Sequence, residues 1–275
     1  MLSNVEIWWM SISTISVINI GAWLYSARLI LQKKTSINPD ILVGRKIILW
    51  LSGGYVFICA FRSFLPRIDL ERIYLVDSWL SSMIVGRSVA TIAELFFIAQ
   101  SAILLHEAGK ATNDKMSILT SQVLIPLILI AEIFSWYAVL TTNYLGSVIE
   151  ESLWTVAGLL LIASFIKLWP RFKDNQHRFI GAMIIFGIGF ILFMITVDVP
   201  MYWTRWIADV AIDKEYFTLE QGFVDASKRY EVNFDWKLWR EEIPWMTLYF
   251  TIAVWCSIYL AHAPSFKLYK NKEIS

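Results

Sequence analysis

The sequence predicts an all-α protein, a bundle of seven transmembrane helices, and three observations predict it. Hydrophobic residues make up 57% of the 275-residue chain and charged residues only 17%, too apolar a balance for an ordinary soluble domain. Seven stretches approach the roughly 20 apolar residues needed to cross a hydrocarbon core. The basic residues of the connecting loops fall on one side of the membrane when the count is seven, and on both sides if one span is dropped.

The spans are placed near residues 7–28, 44–64, 76–105, 117–141, 146–168, 179–198 and 243–262. The first lacks a basic leader and is too long for a signal-peptide core, so it is expected to remain as a helix. The second and fifth are the weakest, because uncharged residues cover only 47–61 and 152–166. The third is the clearest, with just Arg87 and Glu94 charged among the 28 residues between Asp77 and His106. In the seventh, Pro244 falls at the helix start, where backbone amides lack partners anyway.

Arg28, Lys33, Lys34, Arg45 and Lys46 occupy the first loop, Lys110 and Lys115 the third, Lys167, Arg171, Lys173 and Arg178 the fifth, and Lys267, Lys270 and Lys272 the tail. The positive-inside bias makes that side cytoplasmic, with the N-terminus outside and the C-terminus inside. Residues 199–243 are then extracytoplasmic, and they carry six basic and nine acidic side chains. With Trp203, Trp206, Trp236 and Trp239 the segment is too aromatic for a disordered linker, and it predicts a cap of two or three short helices whose tryptophans form an interfacial belt. Thr218 followed by Gln221 is a capping-box start, and Asp235 is expected to cap a helix leading into the seventh span. The chain, 1–275, reads as one integral membrane domain of a plasma membrane or bacterial inner membrane, with 199–243 as a cap within it.

An ionisable group at mid-bilayer depth costs between ~2.5 and ~17 kcal/mol depending on the reference, so Arg87 and Glu94 must face a protein interior or a wet cavity. They share a stripe of the third span with Thr91 and Ser101. The axial rise between them is about 10 Å, too far for a direct salt bridge without a third group. Glu132, or the pair Glu150 and Glu151, is the expected partner of Arg87. Glu150 and Glu151 point about 100° apart, so one is expected to face a cavity and the other to reach the interface.

Arg62, Asn143, Trp154, Asp198, Tyr202 and Arg205 gather toward the outer side, whereas the inner half offers mainly Glu94, Gln100 and Ser101. That asymmetry predicts a cavity open to the outside or the outer leaflet, roofed by 199–243. Arginine suits phosphate and carboxylate, so Arg62, Arg67, Arg72 and Arg87 suggest an anionic or amphiphilic small molecule. The bland alternative pairs them with Asp69, Glu71 and Asp77 in a solvated loop.

Three functional readings follow, and the sequence does not choose between enzyme and non-enzyme. The first is an outward polar pocket that binds or senses that small molecule. The second is a lipid- or isoprenoid-modifying enzyme with Glu132, Glu150 and Glu151 in acid–base roles. The third is a proton-coupled transporter with Glu94 as relay. Nucleic acid is excluded by the balance of 24 basic and 23 acidic residues. Cys59 and Cys256 lie in apolar runs, where a structural disulfide is not expected. No cofactor and no metal are expected. The three histidines, His106, His177 and His262, fall at the cytoplasmic edge, the glutamates lack a cation-binding loop, and the seventh span has no lysine for a Schiff base. No internal repeat, phosphate loop or nucleophile turn is present. Membrane lipids are the expected partners, and Gly53, Gly54, Gly181, Gly187 and Gly189 allow close helix packing without fixing an oligomeric state.

Overall fold

The computed structural model describes residues 2–32 and 39–266, which places Lys33, Lys34, Lys267, Lys270 and Lys272 outside the described residues. Seven helices among the described residues are long and apolar enough to cross a membrane. α1 (Asn4–Gln32), α2 (Pro39–Phe64), α3 (Met83–Thr112), α4 (Lys115–Thr141) and α5 (Tyr144–Leu168) run up and down, each packed on the one before.

Local chemistry sets the turns between them. Asn113 takes the left-handed conformation at φ 54°, and Asp114 then caps α4, its carboxylate accepting from the Ser117 amide at 3.0 Å. Thr142, at φ 58°, and Asn143 repeat the device before α5, with the Leu145 amide donating to Asn143 Oδ1 at 2.9 Å. Links this short hold successive helices antiparallel. The third span starts later than expected, at Met83, because Trp79–Ser81 form a separate 3-10 turn and Ser82 caps α3.

Between α2 and α3 stands a small hairpin that hydropathy did not foreshadow. β1 (Arg67–Ile68) pairs antiparallel with β2 (Ile73–Tyr74), and all four residues are buried.

The sixth span departs furthest from expectation. α6 (Asp174–Phe193), a π-helical turn over Met194–Asp198 and α7 (Val199–Ala211) form one continuous run of 38 residues, so the first part of 199–243 extends the span. Pro200 explains the π turn: it has no amide to donate, and its ring would press on the carbonyl of Thr196 in a regular helix. Beyond it come α8 (Leu219–Ala226) and the single-turn α9 (Trp236–Trp239). The capping box of α8 is complete, with the Thr218 amide donating to Gln221 Oε1 at 2.9 Å and the Gln221 amide to Thr218 Oγ1 at 3.3 Å. Asp235 caps α9 by accepting from the Lys237 amide at 2.9 Å. A Cβ on Gly222 would overlap the Leu140 carbonyl, so glycine is what lets α8 seat on the end of α4. Trp239 is fully buried, its indole N–H on the Asn233 carbonyl at 2.8 Å and its ring 5.9 Å from Trp8, so it is a core residue and no part of an interfacial belt.

The seventh span is broken into α10 (Ile243–Phe250) and α11 (Ile252–Ala261) at Thr251, where φ is −118° and ψ −80°. α11 packs against α2, with lesser contact to α1 and α3, while α6 packs on α5. α6 and α11 meet where Phe179 stacks on Tyr259 at 5.0 Å. Farther along, both line a cavity between them.

The bundle thus has two distinct ends. At one, the hairpin, the α4–α5 turn, α7, α8 and the stretch before α10 meet. Tyr144 Oη donates to Glu71 at 2.6 Å, and the Asn233 amide donates to the Tyr74 carbonyl at 3.1 Å. At the other, Arg45 bridges Glu107 at 2.9 Å and donates to the Pro264 carbonyl, and Lys167 bridges Asp114 at 2.6 Å.

Candidate functional site

Arg87 sits inside the bundle at the meeting of α3, α4 and α5. Its Nη2 donates to Glu94 at 3.0 Å and to Glu132 at 2.9 Å, and its Nη1 lies 3.4 Å from Glu150. All four residues are buried. Thr91 donates to the same Glu132 oxygen at 2.5 Å and itself accepts from the Trp136 indole at 3.1 Å, which fixes that carboxylate from below. The other Glu132 oxygen and Arg87 Nε are buried without a hydrogen-bond partner among the described residues.

The direct Arg87–Glu94 bridge corrects the expectation that two turns of helix were too far to span. Helical side chains lean toward the N-terminus, so Glu94 reaches back toward Arg87, and a long arginine lying along the helix closes the remaining rise. Glu132 and Glu150 are the partners that join from other helices. Glu151 makes no bridge to Arg87 among the described residues.

Arg62, Arg67, Arg72 and Arg205 are engaged as well, and in ways a solvated loop would not allow. Arg62 is buried under the rings of Tyr249, Phe250 and Trp245, at 5.0, 5.8 and 6.0 Å from their centroids. Arg67 lies against the bare Cα of Gly86, where any Cβ would overlap its guanidinium, and bridges Asp69 at 2.8 Å. Burial pushes the Arg67 pKa down, to about 10, against the pull of Asp69. Arg72 bridges Asp225 on α8 at 3.0 Å and donates to the Val139 carbonyl at 2.7 Å, tying hairpin, α4 and α8 together. Arg205 bridges Glu242, Glu71 at 3.2 Å and Glu241 at 3.0 Å, and lies 5.6 and 5.8 Å from the stacked rings of Tyr144 and Tyr202. Burial, together with repulsion from Glu71, raises the Glu242 carboxyl above its ordinary range, and Arg205 opposes that rise.

A cavity of about 560 Å³ joins this polar cluster to an apolar trough. Arg62 and Arg87 line the polar part, with Glu94 from α3 and Glu150 and Glu151 from α5. Asp69 and Glu71 of the hairpin, Asp198 of the π turn and Glu242 complete the charged wall. The trough continues between α5, α6 and the seventh span, past Leu161, Phe186, Phe190, Leu248 and Ile252. Gly187 packs closely on Ile162 of α5, whereas Gly189 lines the cavity with open space where a side chain would stand.

Of the residues singled out from sequence, Arg62, Arg87, Glu94, Trp154, Asp198 and Tyr202 line this cavity, as do both Glu150 and Glu151. The expectation that one of the adjacent glutamates would turn away is corrected, because the cavity is wide enough to take in two stripes of α5. Glu132 stands behind Arg87, Arg205 stands behind Glu242, and Asn143 serves as the α5 cap. Tyr249, Trp245 and the trough residues were not anticipated. Their aromatic and apolar side chains are indistinguishable in sequence from lipid-facing ones.

Oxygens of Glu94, Glu132 and Glu150 approach within 4.8 Å of one another, a spacing suited to a cation. The cation this triad holds is the Arg87 guanidinium, and a metal ion would have to share the space with it. His106 pairs with Ser121 at 3.1 Å and His177 stacks on Trp169 at 4.6 Å, both at the end opposite the cavity's charged wall.

No protein-family model matches the chain, and neither a curated protein nor a solved structure shows significant similarity to it.

Proposed function

We propose that the chain is a multi-pass integral membrane protein that binds an amphiphilic small molecule. The polar head sits among the buried carboxylates and arginines, and the apolar chain lies in the trough between α5, α6 and the seventh span. One observation carries this reading: charged wall and apolar trough belong to one continuous cavity of about 560 Å³, within the size range of small-molecule sites. The trough lies between two helices that meet near Phe179 and Tyr259, and an opening between them farther along would give a lipid-like chain a lateral way in from the bilayer. An anionic head draws less support, because Arg87 and Arg205 are each committed to three carboxylates and Arg62 to aromatic rings. An acid–base role for Glu132 also draws less, since Arg87 separates it from the cavity.

The charged wall belongs to the extracytoplasmic side in this reading, with the N-terminus outside, the C-terminus cytoplasmic, and α7, α8 and α9 forming the cap. The opposite end supports it, for Arg45, Lys110, Lys115, Lys167, Arg171 and Arg178 all gather there. So does the 38-residue sixth helix, which at ~1.5 Å per residue outruns a ~30 Å hydrocarbon core. The membrane is a plasma membrane or bacterial inner membrane.

Mass spectrometry of small molecules co-purifying in mild detergent tests the reading, with wild type set beside Gly189→Phe. A Cβ at this position meets nothing within 4 Å and the ring extends into the cavity that Gly189 lines, so thermal unfolding should be unchanged while a specific amphiphile, retained by wild type, disappears. Recovery of nothing but bulk lipid from wild type would overturn it.

A further inference from the structure

The charged wall is unevenly balanced. Two arginines, Arg62 and Arg87, face the cavity together with seven carboxylates. Adding Arg67, Arg205 and Glu132, which stand directly behind, leaves four arginines against eight carboxylates. The pairings use up most of them. Glu94, Glu132 and Glu150 share Arg87, Asp69 takes Arg67, and Glu71 and Glu242 share Arg205. Glu151 and Asp198 remain. Neither side chain makes an ion pair or hydrogen bond with a described residue, and both line the cavity. Asp198 is only 6% exposed, and its Oδ1 is buried with no hydrogen-bond partner among the described residues. It closes the π-helical turn of the sixth span, a distortion that recurs at functional sites.

A buried carboxylate with no partner is costly, and a cation brought by a ligand removes the cost. Trp154 lines the same cavity, and no arginine or lysine among the described residues lies over its ring, which favours a positive head a second time. We infer that the amphiphile bound in this cavity carries a cationic, amine-type head, held between Glu151 and Asp198. The inference rests on the amphiphile reading and gives its ligand a charge. Arg87 is shared by Glu94, Glu132 and Glu150 next door, which leaves Glu151 and Asp198 as the end of the wall that no arginine bridges among the described residues.

Equilibrium binding of three radiolabelled probes of one chain length decides it: dodecylamine, dodecanoate and dodecanol, on the full chain in a maltoside detergent. Dodecylamine should bind at least tenfold more tightly than the other two. Asp198→Asn and Glu151→Gln, each nearly isosteric and checked by thermal unfolding, should weaken it tenfold or more while leaving dodecanol unchanged. Gly189→Phe should weaken all three. Equal binding of the three probes, or dodecylamine binding indifferent to both carboxamide variants, would overturn the cationic head while Gly189→Phe still reports a real trough. No binding above micelle partitioning in wild type, or binding untouched by Gly189→Phe, would overturn the pocket and the head group together.

Discussion

The side-chain amide of Asn19, buried in α1, donates at 2.9 Å to the carbonyl of Phe250, the last residue before the break in the seventh span. The break frees backbone groups from helical pairing, and in an apolar surround such a group needs another partner. Asn19→Leu removes the donor and should destabilise the fold by ~1–3 kcal/mol. Thermal unfolding in detergent reads this, and a variant as stable as wild type would mean that the break is satisfied in some other way.

Arg87 holds three carboxylates from three helices. Arg87→Gln leaves them buried without a cation, and breaking a buried pair in this way costs about 3–5 kcal/mol. Combining it with Glu132→Gln should restore part of the loss, because one of the stranded charges is removed as well. Arg87→Lys should rescue poorly, since an ammonium cannot reproduce the forked contacts. A double variant no more stable than Arg87→Gln would show that Glu132 is not coupled to Arg87.

Asp114, in the turn between α3 and α4, is held down to a pKa of about 2 from the ordinary 3.8 by Lys167 and by Ser117, against the opposing effect of burial. Because the folded value is the lower one, its contribution is fully present above about 4 and fades as pH falls toward 2. The stability gap between wild type and Asp114→Asn should therefore be constant from pH 7 to 5 and narrow below 4. A gap that widened on acidification would reverse the sign of this coupling.

Cysteine scanning reads the topology. Cys59 is buried and Cys256 half-buried inside spans, so a membrane-impermeant maleimide is expected to leave both unlabelled. Ser227→Cys, exposed after α8, should label in intact cells, and Lys115→Cys only after permeabilisation. The reverse pattern would invert the orientation proposed above.

Hydropathy located all seven spans because each is a long local run, and Thr218 with Gln221 marked α8 because a capping box is written within four residues. The hairpin escaped because two residues per strand leave no periodic signal. The merging of the sixth span with α7 escaped because Asp198 and Pro200 look like a terminus when the π turn that absorbs them cannot be seen. At the site, the seam through Arg87, Thr91 and Glu94 was legible as one helical stripe. The shielding of Arg62 by Tyr249 and Phe250 was not, since those rings come from nearly 190 residues away.

The bridge from Arg87 to Glu94 also bears on how the protein is made. Both charges belong to one helix, so α3 carries its own counterion and enters the bilayer with net zero charge in its central seam before α4 exists. Glu132 and Glu150 emerge later, each on a helix with no cation at that depth, and the nearest relief is the guanidinium already in place. Chain order and electrostatics together predict that the third helix inserts as a self-contained unit and that the fourth and fifth join it through the charges they could not otherwise keep in lipid.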